Sequence, residues 1–380
     1  MQSVSQTSKS SVHDFGSEDL FRNLDQALKS ELSQDEAEKV STFAREHFPA
    51  WVQSAKKSCY HVHMARKEET KLPYTIRVYT TPEKAPRMHV VLDELEWSLR
   101  KVVKKVLVVT PTTFSSVAEI GINVRPHDDD HLDKKEIRQH QKGVDVEASL
   151  IRRLSQRVSS FLAYTKVKVL RRNGRCRYKY HTDLAETDLY NLIISNRTVL
   201  PFNEKINIIA QVAAKLKDLH KNGICHLAII PSNVLRFKDG RVQLCGYGDA
   251  TGIGKRVKLQ GEQGYVAPEI FQKEKPAVNP KLDMWSLGSL MYELLSDGDC
   301  AFRGAIEEFP EENPDTLLRR KQNTEARAKE LCSKLSERSK ADPQHETIYR
   351  LAARCIDADP EKRPTAEEVL QILKTLEETP

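Results

Sequence analysis

His226-Leu227-Ala228-Ile229-Ile230-Pro231-Ser232-Asn233-Val234-Leu235 is the stretch on which the fold of this 380-residue chain turns. It leads into Val234-Leu235-Arg236-Phe237, which with Arg241-Val242-Gln243-Leu244 flanks Lys238-Asp239-Gly240, a β-hairpin signature with a glycine in the turn. A hairpin brings the groups just before its first strand and just after its second to one end. A site is expected at that end.

Further out, Asn173-Gly174 lies between the strand-like segments Val167 to Leu170 and Tyr178 to Tyr180, as the tight turn of another hairpin. After residue 280 the pattern is mostly helical, with breaks at Ala341-Asp342-Pro343 and at Asp359-Pro360, because proline disfavours helix in the residue before it. Toward the N-terminus, Leu20, Phe21, Leu24, Leu28 and Leu32 fall at helical spacing. Ser33 and Glu36 form a capping-box signature ahead of a second helix carrying Ala37, Val40 and Phe43. Alternation at Tyr60 to Met64 and Tyr74 to Tyr79 predicts two strands. Residues 1–16, rich in Ser, Gln and Thr, are expected to be a flexible tail.

The stretch quoted first resembles the protein-kinase catalytic loop, and further landmarks of that family follow in order. Gly246-Tyr247-Gly248 stands where the metal-binding DFG motif falls. Val266-Ala267-Pro268-Glu269 resembles the APE motif, Asp283-Met284-Trp285-Ser286-Leu287-Gly288 matches the D-x-W-S-x-G helix start, and Arg363-Pro364-Thr365 is similar to the segment whose Arg pairs with the APE Glu. Thr110 to Val117 lies in register with the glycine-rich phosphate loop, keeping Phe114 and Val117 but with Thr110, Thr112 and Ser115 in place of the glycines. Asp145-Val146-Glu147 with Leu150, Ile151 and Leu154 resembles helix αC, and Tyr180 to Asp183, ahead of Asp188-Leu189-Tyr190, resembles the hinge. The lysine of the third strand has no clear counterpart: Arg125 is too close to Val117, and Lys134 and Lys135 sit in a stretch without alternation. The resemblance implies an α+β, bilobal kinase-like fold over residues 95–378, with a small β-rich N-lobe at about 95–180 and a larger helical C-lobe at about 184–378. An α/β accessory region at 17–94 would precede it.

Phosphoryl transfer needs a phosphate cradle, metal ions and a carboxylate that orients the substrate hydroxyl. Against the family pattern, Ala228 replaces the catalytic Asp, whose class of group is worth about 10² to 10⁴ in rate. Ile230 replaces the catalytic-loop Lys, Gly246 the metal-binding Asp, and Leu227 the Arg that answers activation-loop phosphate; Glu262 stands where a Thr is usual. Asn233 is the single retained metal ligand, so Mg²⁺ is not expected. No cofactor is required; ATP binding stays open, with Val117, Leu235 and the hinge residues Tyr180 and Thr182 as the nucleotide contacts the resemblance implies. The expectation is a pseudokinase acting as scaffold, regulator or decoy through a protein partner, such as an active kinase or a kinase substrate. The alternative is an unconventional or weakly active ATP-dependent Ser/Thr kinase or other transferase, with Glu147, Asp249 or Glu262 helping to hold metal. For Asp249 the plainer reading is an exposed turn residue.

Composition agrees with a globular chain: 39% hydrophobic, 30% charged, with a net charge of +6 that does not by itself point to nucleic acid. The seven cysteines contain no CxxC pair, which argues against a zinc ribbon and a secreted disulfide framework. No apolar run is long enough for a membrane span, and no secretory signal is visible. The expected setting is cytoplasmic or otherwise intracellular, with signal-independent export of an effector as the other option. Of the remaining polar groups, His127 to His131 reads as a solvated acidic turn, His61 and His63 as one half-exposed strand face, and Cys225 as a buried structural thiol. Arg171, Arg172, Arg175, Arg177 and Lys179 read as a charged hairpin edge. Thr316 to Ser336 is expected to be helical, with an exposed face open to a partner.

Overall fold

In a computed structural model of the protein, the described residues are 17–53, 61–65, 74–81, 84–97, 101–123, 147, 149–150, 153–154, 168–172, 175–256, 264–272, 276–299, 301 and 314–377. The expected tail at 1–16, Asn173-Gly174, the acidic turn at 127–131, Arg125, Lys134, Lys135 and Glu262 lie outside them. The chain divides into two compact units, residues 1–129 with 165–184, and residues 130–164 with 185–380.

The first unit begins with helices α1 (Ser17–Glu31) and α2 (Gln34–Gln53). The stripe Leu20, Leu24, Ala27 and Leu28 is fully buried, each leucine contributing about 1.5 to 3 kcal/mol of transfer free energy. At the junction Glu36 accepts from the Ser33 N–H at 3.3 Å and its hydroxyl at 2.6 Å, the reaching-back half of a capping box. The strands are β1 (His61–Ala65), β2 (Thr75–Thr81), β3 (Lys84–Trp97), β4 (Lys101–Val109), β5 (Phe114–Asn123), β6 (Lys168–Arg172) and β7 (Arg175–Asp183). They form one antiparallel sheet in the order β1-β2-β3-β4-β5-β7-β6. Ile76, Val78, Met88, Val90, Leu107 and Val109 pack with the helix pair in one core.

This sheet corrects the expected boundary between an accessory region ending at 94 and a kinase-like domain starting at 95. That boundary falls inside β3, which continues to pair with β4 through register shifts at Val91/Asp93 and Glu94/Glu96. A ladder that absorbs its irregularities as bulges does not end at them. The expected N-lobe at 95–180 is also divided: residues 130–164 belong to the second unit, because Leu150 and Leu154 pack into its core.

In the second unit, β8 (Thr187–Asp188) pairs with β10 (Val234–Arg236), which pairs with β11 (Val242–Leu244), while β9 (Ile224–Cys225) pairs with β12 (Thr251–Gly252). The rest is helical: α3 (Phe202–Lys221), α4 (Pro280–Leu295), α5 (Pro314–Ala341), α6 (Glu346–Cys355) and α7 (Ala366–Glu377). Helix α4 is buried on every side from Leu282 to Leu295, the pattern of a central core helix. It starts at the Asn279 cap, whose side chain accepts the Lys281 N–H, with Pro280 at the first position. Among the described residues no helix is long and apolar enough to cross a membrane.

Arg363 closes this unit. It donates to Glu269 at 2.6 and 2.8 Å and to the carbonyls of Asp357, Lys281 and Ala358, and its guanidinium lies over the Trp285 ring. Its side chain is wholly buried, so a lost partner leaves an uncompensated charge. Glu269→Gln is therefore expected to lower stability by about 3 kcal/mol, read as a shift in the denaturant midpoint at unchanged slope.

Candidate nucleotide and catalytic-loop site

The quoted stretch lies in the second unit and is held from below by one carboxylate. Asp283, fully buried near the start of α4, accepts from the N–H of His226 at 2.9 Å, from the N–H of Leu227 at 2.8 Å, and from Nε2 of His220 at 2.8 Å. Leu227 has φ of 62°, a left-handed conformation that costs a branched residue about 1 to 2 kcal/mol. The Asp283 bond to its N–H offsets that strain. Burial opposes ionisation of Asp283, but the bonds from His220 and the Leu227 N–H outweigh it and hold the carboxyl below its ordinary range.

Beyond Leu227 the chain makes a tight turn, Pro231–Asn233, closed by Asn233 N–H to the Ile230 carbonyl at 2.9 Å. The Asn233 amide donates to the Ala228 carbonyl at 3.0 Å. The β10–β11 hairpin then returns the chain, and the Cys245 N–H donates to the Asn233 carbonyl. Asn233 and Gly246 are thereby brought together, as the hairpin reading expected. Gly246 has φ of +77°, and a Cβ built there would meet Asn233 Oδ1, Cγ and Nδ2 at 2.5 to 2.7 Å. The Asn233 side chain fills the space that a longer residue at 246 would use.

Ala228 and Ile230 are buried apolar side chains. Leu227 lines a small cleft with Tyr265, Val266 and Ile270, surroundings that suit a leucine and not a phosphate-binding arginine. Tyr247 is buried, with its hydroxyl donating to the Leu244 carbonyl at 3.1 Å and its ring 4.7 Å from that of His226. Glu147 is buried and contributes to raising the Tyr247 hydroxyl pKa, after burial and Cys245. Cys225 is fully buried with its thiol pushed up by burial, the structural role expected of it. Asp249 is a correction: it is half-buried in the turn after Tyr247, and burial raises its carboxyl pKa.

The family model of the protein kinase domain matches residues 131–373. The chain belongs to the protein kinase domain family. Similar relatives include G protein-coupled receptor kinase 2 of Drosophila melanogaster, 35% identical over 140 residues, 34% of this chain and 19% of the relative. Serine/threonine-protein kinase 36 of Mus musculus is 32% identical over 117 residues, 30% and 9% of the two chains. Serine/threonine-protein kinase Nek9 of Xenopus laevis is 27% identical over 195 residues, 48% and 18%. The aligned segments thus span a fifth or less of these relatives.

The kinase-domain match begins after the β4–β5 hairpin, whose turn the sequence resemblance aligns with the glycine-rich loop. There the turn is self-closed: Thr110 N–H donates to the Thr113 carbonyl at 2.8 Å, and Thr113 N–H to the Thr110 hydroxyl at 2.9 Å. Asn23 on α1 donates to the carbonyls of Thr110 and Pro111 at 3.0 Å each. Backbone N–H groups cradle phosphate when they are unpaired, and these two are paired. Of the expected nucleotide contacts, Val117, Tyr180 and Thr182 lie in the first unit and Leu235 in the second. Val117 pairs with Asp183 while Thr182 pairs with Ala118, so Val117 and Thr182 occupy opposite faces of the sheet. Thr182 is buried. Strand β5 hydrogen-bonds directly to β7, and no described strand carries a lysine between them.

Two predictions follow from the loop. Gly246→Ala is expected to cost about 1 to 2 kcal/mol through its left-handed backbone, plus displacement of Asn233. In an Asn233→Ala background the displacement part vanishes, so a double-mutant cycle read by urea denaturation should show positive relief. The second concerns pH. Burial lowers the His226 pKa to about 4, so the folded state prefers the neutral ring. Its contribution is complete above about pH 6.5 and is lost as pH falls toward 4, by roughly 3 kcal/mol. His226→Gln should flatten that slope in unfolding measured from pH 7 to 4; the Asp283 contribution falls away only at still lower pH.

Proposed function

We propose that this kinase-domain protein is a pseudokinase: a fold that binds a protein partner and acts as scaffold, allosteric regulator or decoy without conventional phosphotransfer. The observation that carries this reading is the catalytic loop, whose backbone is anchored by Asp283 while positions 228 and 246 hold Ala and Gly. A phosphotransferase places a carboxylate at each of those points, one to orient the hydroxyl and one to hold Mg²⁺. Here one neutral amide, Asn233, remains, and its Nδ2 is committed to Ala228. A hard cation gains little from a single amide oxygen.

The self-closed Thr110–Thr113 turn supports the same reading on the phosphate side. The partner class is a protein, such as an active kinase or a kinase substrate, and the setting is cytoplasmic or otherwise intracellular. A second reading, a weak ATP-dependent transferase, is favoured by one observation. Asp249 is a half-buried carboxylate three residues beyond Gly246, with its pKa raised by burial, and raised carboxyls occur at working sites.

Thermal-shift titration with ATP, alone and with Mg²⁺ or Mn²⁺, together with a phosphotransfer assay, separates the two. A ligand that binds only the folded state stabilises it by about 2.7 kcal/mol at a hundred times its Kd. The pseudokinase reading expects no metal-dependent shift and no transfer. A metal-dependent shift with ATP turnover, abolished by Asn233→Ala or Asp249→Asn, would establish the transferase instead.

A further inference from the structure

The sheet of the first unit curls until side chains three strands apart touch. Flat neighbours stand about 4.8 Å apart, so three intervals span about 14 Å. Yet Arg77 on β2 donates to both carboxylate oxygens of Glu119 on β5 at 2.7 and 2.8 Å, and the His89 ring on β3 lies 5.2 Å from that of His181 on β7. Register explains the shared face: Arg77 pairs with His89, and Glu119 with His181. Opposite the face covered by α1 and α2, the sheet thus carries a polar cluster in which Arg77, His89 and Glu119 are buried.

We propose that His89, Glu119 and His181 bind one divalent ion of the zinc class. Their donor atoms lie within 4.8 Å of one another, and His181 Nε2 is already 3.2 Å from Glu119 Oε2. Donors around a tetrahedral ion, with bonds near 2.1 Å, stand about 3.4 Å apart, so the cluster closes on an ion with a side-chain adjustment of about 1 Å. The second observation is His89 Nδ1, a buried ring nitrogen without a hydrogen-bond partner. Such an orphan is destabilising, and coordination is a way to use it.

Two imidazole nitrogens and one carboxylate oxygen suit zinc and its neighbours in the transition series better than Mg²⁺ or Ca²⁺, which want oxygen. Arg77 acts as an outer partner, orienting Glu119. By drawing on the carboxylate's charge it also weakens ions held by charge more than ions held by nitrogen. The other converging group, His220, Cys225 and Asp283, differs, because Asp283 is committed to the backbone N–H groups of His226 and Leu227, on which the geometry of that loop depends.

The test uses the full chain, freed of metal by a chelator and titrated with Co²⁺. The expected result is one Co²⁺ per chain with the visible absorption of a nitrogen and oxygen site, displaced by Zn²⁺. Binding should weaken more than tenfold in His89→Gln and in His181→Asn, and persist in Asn233→Ala, which separates it from metal at the kinase site. No stoichiometric binding, a thiolate charge-transfer band, or binding indifferent to both histidine substitutions would overturn the proposal. Should a variant fail to fold, X-ray absorption of the zinc-loaded wild type decides: two imidazoles and one carboxylate support the site, and a sulfur shell refutes it.

Discussion

A single buried carboxylate, Asp283, sets the geometry on which the second unit's candidate site depends. Removed from water, it is stable as an anion because three N–H groups converge on it, two of them from consecutive residues of the catalytic loop. Those two bonds hold Leu227 in a left-handed conformation that its side chain disfavours. Everything downstream inherits that orientation: the Pro231–Asn233 turn, the Asn233 amide on Ala228, and Gly246 against Asn233.

Arg363 and Glu269 perform a corresponding task at the same end of α4 as Asp283, where Arg363 meets the Lys281 carbonyl and the Trp285 ring. A planar guanidinium with five donors satisfies a carboxylate and three carbonyls at once, which a lysine ammonium does not match in geometry. Both anchors are of the kind a kinase domain needs in order to fold. At 228, 230 and 246, the positions that the family resemblance aligns with reacting groups, this chain holds Ala, Ile and Gly. Ala228 and Ile230 are buried, where an unpaired charge would be expensive.

The first unit shows a different economy. Its two helices cover one face of a sheet whose strands come from both sides of the expected domain boundary, so the segment before that boundary and the β4–β5 hairpin share a core. Asn23 reaches from α1 to the Thr110–Pro111 carbonyls, tying the hairpin turn to the helix pair. The opposite face buries a polar cluster, and the Arg77–Glu119 pair is favourable there because Arg77 donates to both carboxylate oxygens at short range.

Local patterns carried much of this. Helical spacing at Leu20, Leu24 and Leu28, the Ser33–Glu36 box, both hairpins, and the breaks at Pro343 and Pro360 are properties of neighbouring residues, and they hold in the structure. The kinase-domain resemblance was likewise legible, since it rests on residue identities at fixed spacing. What the sequence could not reveal is whatever depends on distant strands meeting. Arg77, His89, Glu119 and His181 are scattered over a hundred residues and carry no motif; sheet order, register and curl alone bring them together. The same holds for Asp249, which reads as a surface turn and is half-buried, and for the boundary at 94, which β3 crosses without a break. Side-chain identity and spacing decide local geometry because their energies are local, whereas burial and convergence are sums over the whole fold.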